Sequence, residues 1–224
     1  MSIQRVIVVA HGDLEDLAFY KNLVKAGDFI ICVNGGCGYA LSMGIKPDLV
    51  IGDMDSLKPG DQEKIRKQDP RLIKHPSAKD KSDLELAIDK AVEMKPGEIL
   101  IIGALGGERA DHAFINMLLL YIPYQHNIPA RIIDRNQDVF MIKGEAIIEG
   151  KSGDYFSLFS LTGKAEGIIT EGLKYPLHGG TLYFASTLGL SNEFVGSKAS
   201  VYVEKGLLLA IHNRKQGQSP GDEN

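Results

Sequence analysis

The chain has 224 residues, 44% hydrophobic and 24% charged, which is ordinary globular composition with enough apolar material for one large or two small cores. Its net charge of −4, with a pI near 5.9, and the lack of a long Lys/Arg run exclude the electrostatic footprint of a duplex-binding protein, so no nucleic-acid partner is expected. Only Cys32 and Cys37 are present, one pair without the second pair that a structural zinc site needs.

From residue 5 to about 135 apolar, β-rich runs alternate with amphipathic stretches, the pattern of βαβ units joined into a mainly parallel sheet with flanking helices. The first run, Val6 to Ala10, is too short for a secretory or membrane segment, so no membrane association and a cytoplasmic location are expected. Strands are predicted at Arg5–Ala10, Phe29–Val33, Asp48–Ile51, Leu72–Lys74, Glu98–Ile102 and Ala130–Asp134. Asn34-Gly35-Gly36 follows the second strand, where glycines let a backbone approach a nucleotide; a tight strand-to-helix turn explains them equally well.

The third strand runs out into Gly52-Asp53-Met54-Asp55 at its carboxyl end, where open α/β sheets bind ligands. A turn after Gly52 aims both carboxylates at one ion, and Mg²⁺ takes such oxygens together with substrate phosphates. Acidic residues are also common turn formers, and that plain role accounts for Asp-x-Asp on its own just as well. Between Lys58 and Lys81, eight Lys/Arg face four Asp/Glu, which is either a solvated face or a complement to polyphosphate.

Leu84, Ala87, Ile88, Ala91 and Val92 share one helix face. Ser82 and Glu85 form a capping-box pattern at its start, so Asp83 lies in the first turn and projects at a sheet edge as a third candidate acid. Gly103 to His112 is a second glycine-rich element between a strand and a helix, containing Gly106, Gly107, Arg109 and Asp111. Backbone N–H groups and the guanidinium fork of Arg109 suit phosphate oxygens, although a turn with a local Arg109–Asp111 ion pair is the plainer alternative. The six histidines lack partners at ligand spacing and carry little weight.

After about residue 143 the helical period gives way to short β segments, predicting a second, all-β domain, a small sandwich or barrel. Ala199, Val201 and Val203 alternate with polar neighbours, and Lys205-Gly206 reads as the turn of a closing hairpin into Leu207–Ile211. The polar tail from Asn213 onward lacks apolar anchors and is expected to be disordered.

In this order, NGGCGYALSMGIKPDLVIGDMDSL (34–57), KDKSDLELAID (79–89), GALGGERADHAFINMLLL (103–120), EGLKYPL (171–177) and LGLSNEF (188–194) resemble the thiamin pyrophosphokinase family over nearly the whole chain. The resemblance implies pyrophosphoryl transfer from ATP to the thiamin hydroxyl, giving thiamin diphosphate and AMP, with Mg²⁺. It implies an ATP- and Mg-binding α/β catalytic domain over 1–143, a thiamin-binding β-sandwich over 144–213 and a tail over 214–224, in a homodimer with shared active sites. It carries Asp53, Asp55 and Asp83 over as metal ligands, Arg109 and Asp111 as residues beside the phosphates, and Asn116 as a neighbour on the following helix. Tyr175, Ser191 and Asn192 fall in thiamin-contacting segments. Asn34 stands where the family usually has Asp, Ser82 where it has Thr, and Tyr175 where many eukaryotic members have Trp.

Overall fold

A computed structural model describes residues 3–52, 55, 57–73 and 80–215. Two compact units divide after Arg135. The sequence reading puts a boundary at 143/144, inside what is one long strand of the second unit.

The first unit contains β1 (Arg5–Val9), α1 (Leu17–Leu23), β2 (Phe29–Val33), α2 (Gly36–Met43), β3 (Leu49–Ile51), α3 (Pro59–Lys67), β4 (Arg71–Ile73), α4 (Asp83–Glu93), β5 (Glu98–Ile102), α5 (Ala110–Leu118), α6 (Tyr121–Gln125) and β6 (Ala130–Ile133). The six strands pair in parallel in the order β6-β5-β1-β2-β3-β4. β1, β2 and β5 are buried at every position but the first, as expected of parallel strands covered on both faces. α4 buries the Leu84, Ala87, Ile88, Ala91 and Val92 face read from its periodicity, against β1, β2 and β3. Ser82 Oγ caps it by accepting from Glu85 N at 3.1 Å, while Glu85 turns to Lys81, 3.3 Å away. Cys32 and Cys37 are buried core residues.

Tyr20 ties the two ends of this unit together. Its ring is fully buried; its hydroxyl donates to Asp134 Oδ2 at 3.0 Å and accepts from Arg135 N at 3.1 Å. Burial, which raises the phenol pKa well above its ordinary value, keeps the hydroxyl protonated. Tyr20→Phe retains the ring and removes both bonds, so urea unfolding should show a loss of about 1–2 kcal/mol; an unchanged midpoint contradicts this.

The second unit contains β7 (Gln137–Glu149), β8 (Tyr155–Ser160), β9 (Lys164–Glu171), β10 (His178–Tyr183), β11 (Asn192–Glu193) and β12 (Lys198–Asn213), all paired antiparallel. β12 pairs with β7 from Lys198↔Glu149 to Asn213↔Gln137. Its other neighbour changes from β9 before Gly206 to β8 after it, and the two arms enclose a core that includes Phe156, Ile168, Phe194, Val201 and Leu208.

The hairpin expected at Lys205-Gly206 is therefore a bulge within one strand. Both flanks stay on β7 with a register shift between Val203 and Leu208, and Gly206 at φ 102 supplies the left-handed residue a bulge uses. The expected disorder also begins too early: Asn213 ends β12, Arg214 N donates to Asn136 O at 2.7 Å, and Lys215 N donates to Asp154 Oδ1 at 2.9 Å. Residues 216–224 lie outside the described residues.

Asp154 is a buried carboxylate at the end of this core. It also accepts from Lys151 N at 2.9 Å and faces His212 Nε2 at 2.9 Å. Burial alone would raise its pKa, but the Lys215 N–H, the His212 ring and the Lys151 N–H outweigh it and hold the carboxyl below its usual range. A depressed carboxylate contributes stability above its unfolded pKa of about 3.9 and loses it as pH falls toward the folded value. The stability gap between the wild type and Asp154→Asn, measured in urea, should therefore narrow below about pH 4; a constant gap contradicts the assignment.

Candidate active site

The parallel sheet reverses its order at β1, which has β2 on one side and β5 on the other. Ligands of open α/β sheets bind at the carboxyl ends of the strands at such a point. A cleft of about 500 Å³ lies there, lined by the residues that follow β1, β2 and β5 and by the first turns of α4 and α5.

Asn34, the residue after β2, lines this cleft. Its backbone takes φ 45, which Asn tolerates better than most residues, and its N–H donates to Ile51 O at 3.0 Å, joining the ends of β2 and β3. Its Nδ2 donates to Asp83 Oδ2 at 2.6 Å, so Asp83 meets the end of an interior strand rather than the outer edge of the sheet. Asn34 Oδ1 is buried without a hydrogen-bond partner among the described residues. It lies over Gly52, where φ is 113 and a Cβ would come 1.7 Å from that oxygen, so only glycine fits. Asn34, Gly52 and Asp83 thus converge at the carboxyl end of β3.

Asp53 lies outside the described residues, and Asp55 is exposed in the turn that follows. Among the described residues no three His, Cys, Asp or Glu side chains form a metal-holding group. Gly35 and Gly36 are buried beneath the cleft: a Cβ on Gly35 would meet the His11 ring at 2.1 Å, and one on Gly36 the Val9 carbonyl at 2.2 Å. They set the close approach of α2 to β1.

The opposite wall is the loop from Gly103 to Gly107. Gly12 N donates to Gly103 O at 2.7 Å, and Asn116 Nδ2, reaching back from α5, donates to Ala104 O at 2.8 Å. Gly106 and Gly107 face the cleft. Arg109 grips Asp111 with two bonds, Nε to Oδ1 at 2.9 Å and Nη2 to Oδ2 at 2.6 Å. The Arg109 guanidinium holds the Asp111 carboxyl well below the usual carboxylate range. Both side chains are exposed, so the pair contributes little stability and its fork is available to a stronger anion.

His11 and Asp13 also line the cleft, immediately after β1. Weighing histidines by ligand spacing passes over His11; the available signal is an apolar run ending in His11-Gly12 at a strand's carboxyl end.

In the antiparallel unit Tyr175 is 64% exposed. Its backbone bonds the Asn192 side chain, N–H to Oδ1 at 3.0 Å and C=O from Nδ2 at 2.7 Å. Ser191, at φ 55, donates its N–H to Ser157 Oγ at 3.0 Å. Asn192, with its chain neighbour Ser191, is thus brought to Tyr175, 17 residues earlier in the sequence.

A parallel β/α unit with a glycine-lined cleft at its switch point, followed by an antiparallel β unit, defines a two-unit enzyme of the nucleotide-handling α/β class. The model of the thiamin pyrophosphokinase catalytic domain matches residues 20–132, and that of the thiamin pyrophosphokinase vitamin B1 binding domain matches residues 142–208. The chain belongs to the thiamin pyrophosphokinase family, which uses ATP. The thiamine pyrophosphokinase of Bacillus subtilis (strain 168) is 36% identical over 185 residues, 82% of this chain and 86% of that protein. A crystal structure of thiamine pyrophosphokinase from Bacillus subtilis matches with a TM-score of 0.86 at 31% identity, covering 95% of this chain and all of that one. That of thiamin pyrophosphokinase from Geobacillus thermodenitrificans matches with 0.83 at 29%, covering 96% and 99%. Among the described residues no helix is long and apolar enough to cross a membrane.

Proposed function

We infer that the chain transfers a pyrophosphoryl group from ATP to the hydroxyl of thiamin, giving thiamin diphosphate and AMP. The observation that carries this is the succession of a catalytic-domain match and a vitamin B1 binding-domain match along one chain. The thiamin oxygen forms a bond to the β-phosphorus and gives up its proton to water, while the bond from that phosphorus to the α,β-bridging oxygen breaks and AMP leaves with that oxygen. Such transfers depend on positioning and charge neutralisation more than on covalent chemistry.

The α/β unit is the ATP- and metal-binding part in this reading. Asp53, Asp55 and Asp83 would hold Mg²⁺, whose preference is for oxygen donors, and the buried, unpartnered Asn34 Oδ1 beside Asp83 would add a further oxygen to them. When bound, Mg²⁺ supplies positive charge to phosphate oxygens. Gly106 and Gly107 present backbone to the phosphates; Asn116 fixes their loop through Ala104 O, and Gly35 and Gly36 seat α2 beneath. Arg109 exchanges Asp111 for phosphate oxygens and stabilises the charge that develops on them. Asp111, held ionised by Arg109, is a poor proton acceptor while that pair lasts.

In the antiparallel unit the exposed Tyr175 ring is the platform for the thiamin pyrimidine, with Ser191 and Asn192 beside it. Exposed apolar side chains of that unit, among them Ile147, Tyr183, Phe184 and Leu188, support self-association into a homodimer.

Incubation with ATP, Mg²⁺ and either thiamin or a hydroxymethylpterin, followed by AMP detection, tests the reading. AMP is expected with thiamin alone. AMP with the pterin moves the acceptor assignment, and no AMP with either turns the protein into a binding module.

A further inference from the structure

Two segments of the antiparallel unit close on each other through an isolated bridge, Leu173↔Phe194. Val195 N donates to Gly172 O at 3.1 Å, and Lys174 N donates to Glu193 O at 2.8 Å. One residue further on, Tyr175 has no backbone opposite it, because the chain at Asn192 pairs with Phe156 of β8 instead. The Asn192 side chain takes the vacant place. A primary amide has the donor and acceptor of a peptide group, and here it accepts from Tyr175 N at 3.0 Å and donates to Tyr175 O at 2.7 Å.

The second lone pair of Asn192 Oδ1 accepts from Glu193 N at 2.9 Å. Two N–H groups facing one atom and a carbonyl facing the other fix which end of the amide is oxygen. One Nδ2 hydrogen is all that remains for a ligand. The loop is also closed at its base, where Leu177 N donates to Thr170 Oγ1 at 2.8 Å and Thr170 N to Leu177 O at 2.9 Å. Between these two fastenings the Tyr175 ring stands in solvent, with Lys174 Nζ 5.8 Å from its centroid.

We propose that Asn192 is a positioning residue for thiamin: its side-chain amide clasps the Tyr175 backbone and so presents the ring as a preset platform for a flat heteroaromatic. This rests on the reading of Tyr175 as the pyrimidine contact. Without the clasp, both polar groups of the Tyr175 backbone return to water and the loop tip samples other conformations, so the ordering cost falls on substrate binding. The effect is confined to thiamin.

The test is steady-state kinetics with thiamin and ATP varied separately for Asn192→Ala, Asn192→Asp, Tyr175→Ala and the double variant Asn192→Ala/Tyr175→Ala. Asn192→Asp keeps the shape and both acceptor contacts but sets a carboxylate oxygen against the Tyr175 carbonyl. Both Asn192 variants should raise the thiamin KM about tenfold, with kcat and the ATP KM within about twofold, which also verifies that they fold. In the Tyr175→Ala background Asn192→Ala should add less than about twofold, because the two residues act as one unit. A normal thiamin KM in both Asn192 variants, with a raised one in Tyr175→Ala, overturns the clasp alone. Independent, multiplying effects overturn it in favour of direct contact between Asn192 and thiamin. A normal thiamin KM in Tyr175→Ala overturns the Tyr175 reading and the clasp with it.

Discussion

Asp83→Asn and, separately, Asp53→Asn are each expected to lower kcat by about two to three orders of magnitude while the protein stays folded. The substitution keeps the shape of the side chain and removes one negative charge from an oxygen donor set for a divalent cation. At position 83 the new amide still offers an oxygen to Asn34 Nδ2, so the bond at the end of β2 survives and α4 keeps its seat on the sheet. The lesion is therefore electrostatic. Turnover and the Mg²⁺ concentration for half-maximal rate check it together, with circular dichroism confirming the fold. Near-normal turnover in both variants would sink the metal assignment.

Arg109→Ala should reduce kcat by about a hundredfold to a thousandfold, the range found when a group that stabilises transferring phosphate oxygens is removed. Arg109→Lys should recover only part of this, because an ammonium lacks the planar fork that now fits both oxygens of Asp111. Stability should hardly change in either variant, since both members of the pair are exposed. A thermal midpoint shifted by many degrees, or turnover within a few-fold of the wild type for Arg109→Ala, contradicts the role.

The parallel unit was legible because its signals are local. Apolar runs marked β1, β2 and β5, and the spacing from Leu84 to Val92 marked the buried face of α4. Ser82 caps that helix as the pattern implies, whereas Glu85 chooses Lys81 over the return bond. The antiparallel unit was less legible because glycine serves turns and bulges alike. Only the continuous pairing of β12 with β7 on both sides of Gly206 separates the two.

In the site, residue types were easier to read than their partners. Asn34 stood out as a departure from the resembling family, but its bond to Asp83 joins residues 49 apart, which no local pattern reveals. His11 was passed over because its meaning comes from the reversal of strand order at β1, a property of the whole sheet. Asn192 was found by its motif, yet its amide is spent mainly on the Tyr175 backbone, because β11 turns away to β8.

The reaction moves two phosphates together from ATP to thiamin. Incubation with ATP labelled at the β-phosphorus, followed by separation of products, tests this most directly. The label should appear in thiamin diphosphate, with unlabelled AMP formed in equal amount. Labelled ADP together with thiamin monophosphate would contradict it, because single-phosphate transfer leaves the β-phosphorus on the nucleotide.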